Sequence, residues 1–114
     1  MSAKTVDPEE LQACIDHCLD CYQICAETVA YCLQKGGKHA EASHIRNLMD
    51  CAEICRTSAG FMIRGSSQHV VTCAACAEIC RVCAQSCEKM TEDPQMKRCA
   101  ELCRRCEDSC REMA

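Results

Sequence analysis

Cysteine thiols dominate the chemistry that this sequence could perform. The chain of 114 residues contains sixteen cysteines and four histidines. The pentapeptide CAEIC occurs at 51–55 and again at 76–80, and the related CAELC occurs at 99–103. Thiols bind soft metal ions as thiolates, form disulfides and carry out redox reactions. The spacing of the cysteines must therefore indicate which of these uses applies.

The cysteines recur in steps of three and four residues, the spacing that repeats one face of an α-helix. The pattern is thinnest around Cys51 and Cys55, where Ser58 and Met62 continue the line in place of further cysteines. If four such faces meet on one axis, sulfur lines the interior from end to end. The candidate thiol ligands are Cys14, Cys18, Cys21, Cys25, Cys32, Cys51, Cys55, Cys73, Cys76, Cys80, Cys83, Cys87, Cys99, Cys103, Cys106 and Cys110.

Residues that typically start and end helices predict the elements that position these side chains. Asp-Pro pairs, in which Asp caps a helix and Pro takes its first position, occur at 7–8 and 93–94. Runs of alternating β-branched residues, which would indicate strands, do not appear. The sequence predicts four helices: one from Asp7-Pro8 to about Lys35, one from about Lys38 to Arg64, one capped by Ser66 or Ser67 and ending near Met90, and one from Asp93-Pro94 to the C-terminus.

The short connections between these helices predict the fold. Helices joined by a few residues pack as antiparallel neighbours. We therefore expect an all-α, up-down-up-down four-helix bundle with a cysteine-lined core, formed by residues 1–114 as a single metal-storage domain. The adjacent stripe on the first helix, Ile15, Leu19, Tyr22, Ala26, Val29 and Leu33, widens its apolar face beyond what one core needs, and part of it could serve a subunit interface.

Composition argues against several classes of protein. The start, MSAKTVDPEE, lacks the apolar region of a signal peptide, and no apolar run approaches the ~20 residues of a membrane span. Four Gly and two Pro are few for a loop-rich disulfide scaffold. The net charge of −4 gives no reason to expect nucleic acid or a membrane surface as partner. These features predict a cytoplasmic protein with reduced thiols.

Three uses of a thiol-lined bundle remain in competition: a metal store, a redox protein, and a specific zinc or iron–sulfur site. Disulfides within one helix fit poorly, because neighbouring Cβ vectors on one face rarely meet bridge geometry. Iron–sulfur clusters usually take their cysteines from loop-rich runs, whereas these follow helices. Structural zinc uses four ligands in short pairs, and sixteen cysteines could in principle supply four such sites.

Charge balance favours a monovalent metal ion. Sixteen metal-bound thiolates would carry sixteen negative charges into a water-poor core, and unpaired buried charge is costly. Four Zn²⁺ would cancel only half of that charge, whereas one Cu(I) per thiolate would cancel all of it. Thiolate and thioether ligands also select Cu(I). Bridged Zn²⁺ clusters remain an alternative at this stage.

The arrangement resembles the cytosolic copper storage proteins. The resemblance runs from about Cys14 to Met113 and rests on the four cysteine stripes, the CAEIC turns, and CRVCAQSC at 80–87 and CRRCEDSC at 103–110. It implies a four-helix bundle lined with Cu(I)–thiolate sites, assembly into a homotetramer, and storage or buffering of copper, with a copper chaperone as a possible partner. Enzymatic activity is not expected, because no activated nucleophile with an adjacent base stands out.

Antiparallel packing sorts the remaining donors between the two ends of the bundle. One end should collect Cys32, His39, His44, Met90 and Met96, with Met49 close. We expect this end to be the entrance for Cu(I), where weaker histidine and methionine ligands pass the ion inward to thiolates. The other end should collect Leu11, Phe61, Met62, Val70 and Met113 as an apolar plug, with His69 nearby. We expect His39 to be solvated and His17 to be interhelical or exposed. The alternative functions are a thiol-rich Zn²⁺ or Cd²⁺ detoxification protein and a thiol redox protein.

Overall fold

The computed structural model describes residues 6–114, which form an antiparallel four-helix bundle, as predicted. Each helix packs against two others, so the four surround one axis in a body of 52 × 20 × 18 Å. A short 3₁₀ turn precedes the second helix. The elements are α1 at Pro8–Lys35, the 3₁₀ turn at Gly37–Ala40, α2 at Ala42–Ile63, α3 at His69–Glu88 and α4 at Pro94–Met113.

The two predicted Asp-Pro helix starts are confirmed. The Asp7 carboxylate accepts a hydrogen bond from the Glu9 N–H at 2.9 Å, and Asp93 accepts from the Gln95 N–H at 3.0 Å. In both helices the proline follows the cap directly. Each carboxylate satisfies an N–H that would otherwise lack an intrahelical partner. These caps fix where α1 and α4, and hence their cysteine stripes, begin.

The other two helices begin later than predicted. Gly36 and Gly37 adopt left-handed φ angles of 74° and 59°, which glycine tolerates best, and the 3₁₀ turn then delays α2 to Ala42. In the next connection, the Ser66 hydroxyl accepts from the Gln68 N–H at 3.1 Å. That bond stabilises a turn before α3, so the prediction that Ser66 or Ser67 caps this helix is wrong.

The core consists mainly of sulfur and methyl groups. All sixteen cysteines are 0% exposed. Alanines on α2, α3 and α4, such as Ala59, Ala77 and Ala100, are also buried, and their small side chains let the helices approach closely. Leu48 is the one leucine among the fully buried side chains. Cysteine therefore fills the positions that leucine occupies in an ordinary bundle.

The length and composition of α3 would allow it to cross a membrane, with 20 residues and a mean hydropathy of 1.3. An uninterrupted apolar run is missing from this helix, because isolated polar residues break its sequence. Its cysteines are all buried against the other three helices, together with Ala77 and Ala84. The bundle core accounts for these apolar residues, whereas Val70 and Val71 on the same helix are 39% and 63% exposed.

Candidate metal centre

Thiols from all four helices converge on the bundle axis. Cys21 on α1 lies 3.7 Å, sulfur to sulfur, from both Cys51 on α2 and Cys103 on α4. Cys55 on α2 lies 3.6 Å from Cys80 on α3. A disulfide would bring two sulfur atoms to about 2.05 Å, and all sixteen cysteines are free thiols. The predicted inward orientation of the cysteine stripes is therefore confirmed.

Many of the thiols form compact sets in which the sulfur atoms lie within 4.8 Å of one another. Three sets have four members and one has three. The sets overlap, because Cys21, Cys106 and Cys110 each belong to two of them. A thiolate shared between sets would bridge metal ions. The sets are Cys18–Cys76–Cys106–Cys110, Cys21–Cys55–Cys80–Cys106, Cys21–Cys25–Cys51–Cys103 and Cys14–Cys73–Cys110.

The sulfur separations suit shared metal ions. Many neighbouring sulfur pairs lie between 3.6 Å apart, as for Cys18 and Cys110, and 4.0 Å apart, as for Cys21 and Cys25. With metal–sulfur bonds of about 2.3 Å, as in zinc thiolates, such pairs subtend about 100–120° at an ion between them. Those angles correspond to three or four ligands around the ion. Small side-chain adjustments would therefore suffice for loading.

Burial and mutual hydrogen bonding govern the ionisation of the thiols. Burial raises the pKa of Cys32 to about 11, and the charge of Cys99 adds to the effect. Hydrogen bonds from Cys103 and Cys21 lower the pKa of Cys51, while those of Cys103 with Cys21 and Cys25 raise the pKa of Cys103 well above its usual value. The Cys51 thiolate is thus stabilised by Cys103, which stays protonated. Ionising the whole set requires cations among the sulfurs.

We call the end of the bundle that contains Cys32, His44, Met90 and Met96 the double-loop end, because the α1–α2 and α3–α4 connections both lie there. The Cys32 sulfur lies 3.5 Å from His44 Nε2 and 3.6 Å from the Met96 sulfur. The predicted imidazole, thioether and thiol donors therefore meet. Met90 is buried at the same end, directly after α3.

Ser86 fixes the orientation of the His44 ring and was not anticipated from the sequence. Its hydroxyl lies 2.6 Å from His44 Nδ1, which leaves Nε2 directed at Cys32. Burial lowers the pKa of His44, so the ring stays neutral and able to offer a lone pair. Ser86 lies three residues after Cys83 and one before Cys87, a position that flanks the cysteine stripe. This spacing is the sequence feature that could have predicted its contact with His44.

His39 and His17 have protein partners. His39 Nε2 lies 2.9 Å from a carboxylate oxygen of Asp93, to which the Tyr31 hydroxyl also donates at 2.7 Å. The expectation that His39 is solvated is therefore wrong, because the Asp93 cap attracts it. His17 on α1 contacts Ser109 on α4, which confirms its interhelical position.

We call the opposite end, which contains Met62, His69, Cys73 and Met113, the single-loop end. The Cys73 thiol lies 3.8 Å from the Met62 sulfur, and Met113 is buried. The predicted apolar plug is only partly formed, since Val70 is 39% exposed and Leu11 and Phe61 are half-buried. His69 is instead buried at this end. The sequence signal was its place four residues before Cys73.

Comparison with known proteins agrees with this geometry. The profile of the family Csp, copper storage protein, matches residues 7–114. A protein from Nitrosospira multiformis, known from its crystal structure, is 48% identical in sequence to this chain and superposes with a TM-score of 0.90. The match covers 95% of this chain and 97% of that one.

Similar structures include copper-bound proteins. The Cu(I)-bound copper storage protein BsCsp3 is 33% identical with a TM-score of 0.86, covering 92% of this chain and 98% of its own. A cytosolic copper storage protein from Streptomyces lividans, studied during copper loading with five coppers, is 30% identical with a TM-score of 0.79 and 92% coverage of both chains. The chain belongs to the copper storage protein family.

Proposed function

We propose that this protein stores Cu(I) by binding many ions to thiolates along the axis of the bundle. The observation that carries the proposal is the convergence of sixteen free, fully buried thiols on the bundle axis, twelve of them in overlapping sets. Storage requires many equivalent sites rather than one specific site. The copper-bound relatives support the same ion.

Charge and sharing of ligands favour Cu(I) over Zn²⁺. Independent zinc sites need four thiolates each, but consecutive sets here share Cys21 or Cys106, so they cannot all be filled as separate tetrahedral sites. Bridging thiolates with one monovalent ion per sulfur leave the core neutral. Loading would exchange about one proton for each ion, so affinity rises with pH.

All sixteen cysteines serve as ligands in this proposal, and His44, Met90 and Met96 serve at the double-loop end. Neutral nitrogen and thioether donors bind Cu(I) without contributing charge, so they hold the ion less firmly than thiolates do. Cu(I) would meet His44 and Met96 first and pass to Cys32, whose sulfur lies within 3.6 Å of both donor atoms. The double-loop end is thus proposed as the entrance.

The chain acts, in this proposal, as a single storage domain in the cytosol and without enzymatic activity. The cytosolic relative from Streptomyces lividans supports the location. Leu19 and Leu33 on the second stripe of α1 are 41% and 57% exposed, which supports assembly, with a homotetramer as the proposed state. A chaperone would deliver Cu(I) to the entrance.

Anaerobic titration of the reduced protein with Cu(I), against a coloured Cu(I) chelator, tests the storage proposal. We expect the protein to withhold about one ion per cysteine or more before the chelator takes up copper, because thiolates can bridge. Thiol counting before and after loading controls for oxidation. Saturation at four ions, matched by four Zn²⁺, would support a zinc protein, and rapid disulfide formation with little uptake would support a redox protein.

A further inference from the structure

Two buried side-chain nitrogen or oxygen atoms in residues 6–114 lack a hydrogen-bond partner, and both belong to the part of the bundle near the single-loop end. They are Ser58 Oγ on α2 and His69 Nε2 on α3. His69 is 9% exposed and Ser58 is 0% exposed. An unpaired buried polar group costs about 1–3 kcal/mol, so each requires an explanation. Metal binding would supply one for His69 Nε2.

The hydrogen bond on the other side of the His69 ring defines what Nε2 can do. His69 Nδ1 lies 2.8 Å from the backbone carbonyl oxygen of Ser66. A carbonyl can only accept, so Nδ1 carries the proton and donates it. In the neutral ring Nε2 then holds a free lone pair. A metal-binding histidine commonly donates its second N–H to a carbonyl in this way.

Sulfur donors lie on the same face as this nitrogen. His69 and Cys73 are four residues apart on α3 and therefore neighbours on one helix face. The Cys73 thiol lies 3.8 Å from Met62 Sδ across the α2–α3 contact, and it also belongs to the buried set with Cys14 and Cys110. An imidazole, a thioether and a thiol thus lie near the last level of the sulfur-lined core.

We propose that His69 Nε2, Met62 Sδ and Cys73 Sγ bind one Cu(I) ion, forming a mixed-ligand site that closes the sulfur-lined core at the single-loop end. The inference rests on the proposed storage of Cu(I) and adds a nitrogen ligand at the end opposite to the entrance. Binding releases one proton, from Cys73, and the charges of the thiolate and the ion cancel. The Ser58 hydroxyl is a hard donor, which Cu(I) does not select, so the site does not include it.

The His44 ring shows what a partnered histidine in this bundle looks like. Its Nδ1 lies against Ser86 and its Nε2 against Cys32, so metal binding there replaces an existing contact. Metal binding at His69 Nε2 would replace no existing contact of that nitrogen. His69 should therefore bind its ion without loss of a hydrogen bond, although it lies far from the entrance.

NMR with Ag(I) as a diamagnetic substitute for Cu(I) tests the site directly. The reduced, ¹⁵N-histidine-labelled protein is titrated anaerobically with ¹⁰⁹Ag(I), and the imidazole nitrogen resonances are followed. We expect the Nε2 resonance of His69 to move and to split through coupling to ¹⁰⁹Ag before saturation, while His17, held by Ser109, does not change. An unsplit and unshifted His69 resonance at full loading would overturn the proposal.

Ion counting separates failure of this site from failure of storage. His69→Gln and Met62→Leu should each bind about one Cu(I) fewer per chain, because each removes one donor of a single site, and His17→Gln should bind as many ions as the parent protein. Far-UV circular dichroism verifies that each variant is folded. Full uptake by the parent with no loss in either variant would overturn this site and leave storage intact. Parent uptake of four ions or fewer would overturn storage itself.

Discussion

The two ends of the bundle hold similar donor atoms in different states. At the double-loop end, His44 contacts both Cys32 and Ser86, and none of Cys32, Cys83, Cys87 and Cys99 belongs to a compact thiol set. At the single-loop end, the thiol sets extend to the last cysteines of the core, Cys14, Cys73 and Cys110. The nearby His69 Nε2 has no hydrogen-bond partner.

This difference suggests that Cu(I) enters at the double-loop end and is held at the single-loop end. At the double-loop end, neutral donors are held in place by other side chains and lead to a single thiol, which suits transfer of an ion. The single-loop end offers dense sulfur and a nitrogen without a partner, which suits a terminal bound ion. Changes at the two ends should therefore affect different quantities: the rate of loading at the first, and the number of ions at the second.

The largest expected effect is on loading rate at the double-loop end. The double variant His44→Leu/Met96→Leu should take up Cu(I) from a chelator about tenfold more slowly, because losing both neutral donors raises the transfer barrier by about 1.4 kcal/mol. The matched variant His69→Leu/Met62→Leu should load at the rate of the parent protein. Stopped-flow absorbance of the chelator measures both rates. Equal slowing of the two variants would remove the functional distinction between the ends.

The next largest effect should be on ion number, through thiols shared between sets. Cys106 belongs to two compact sets, whereas Cys87 belongs to none. Replacing Cys106 with Ser should lower saturation by about two Cu(I) ions per chain, and Cys87→Ser by about one or fewer, because a shared thiolate bridges ions. Metal analysis after gel filtration measures the difference. Identical losses would show that set membership has no bearing on loading.

The helix caps at the two ends should differ in their effect on stability. Asp93 accepts from Tyr31 and lies against His39, which ties α4 to α1 and to the 3₁₀ turn, whereas Asp7 accepts only its local N–H among the hydrogen bonds described for residues 6–114. Asparagine is also a good cap, so Asp7→Asn should change the free energy of unfolding little. Asp93→Asn should lower it by about 1–2 kcal/mol, since charge-assisted bonds are lost. Urea unfolding of the apo protein measures both.

The effect of Asp93→Asn should depend on pH. Burial of Asp93 opposes ionisation, but hydrogen bonds from Tyr31, the Gln95 N–H and His39 outweigh it and hold the pKa of Asp93 below its ordinary value of 3.8. A lowered carboxyl pKa contributes stability above 3.8 and loses it as the pH falls through the folded-state value. The variant and the parent should therefore converge in stability under acid conditions. A difference that stays constant down to that range would contradict this role of the carboxylate.

The smallest expected effect concerns the second partner of His44. Ser86→Ala removes the hydroxyl beside Nδ1 and should destabilise the apo protein by about 1 kcal/mol, the usual contribution of a hydrogen bond. It should also slow loading less than His44→Leu does, since the ring is still present but less firmly oriented. Thermal unfolding and the same stopped-flow assay check the two effects. Loading as slow as in His44→Leu would mean that orientation, rather than the nitrogen donor, controls entry.

The sequence predicted which side chains face the axis but not how they are partnered. Steps of three and four residues determine a helix face, so every cysteine was placed correctly in the core. The placement of Cys32, His44 and Met96 together followed from antiparallel pairing. Contacts that depend on side-chain rotation did not follow, such as Ser86 on His44 and His39 on Asp93.

The errors at helix starts have a similar cause. Ser66 is a good cap by residue type, yet it stabilises a turn whose geometry depends on where Gly65 ends α2. The lack of a partner at His69 Nε2 likewise depends on the backbone of the α2–α3 connection, because the Ser66 carbonyl accepts the hydrogen bond from the other ring nitrogen, Nδ1. Residue types carry no record of such pairings, which arise only once the connections are built.

Anomalous scattering from crystals of the Cu(I)-loaded protein, collected on both sides of the copper edge, tests the central claim most directly. A column of copper peaks is expected along the bundle axis, with the peaks inside the column each bound by two or more cysteine sulfur atoms. Its last peak should lie between His69, Met62 and Cys73. Copper confined to the outer surface, or an axis occupied by cross-helix disulfides in place of metal, would contradict the account.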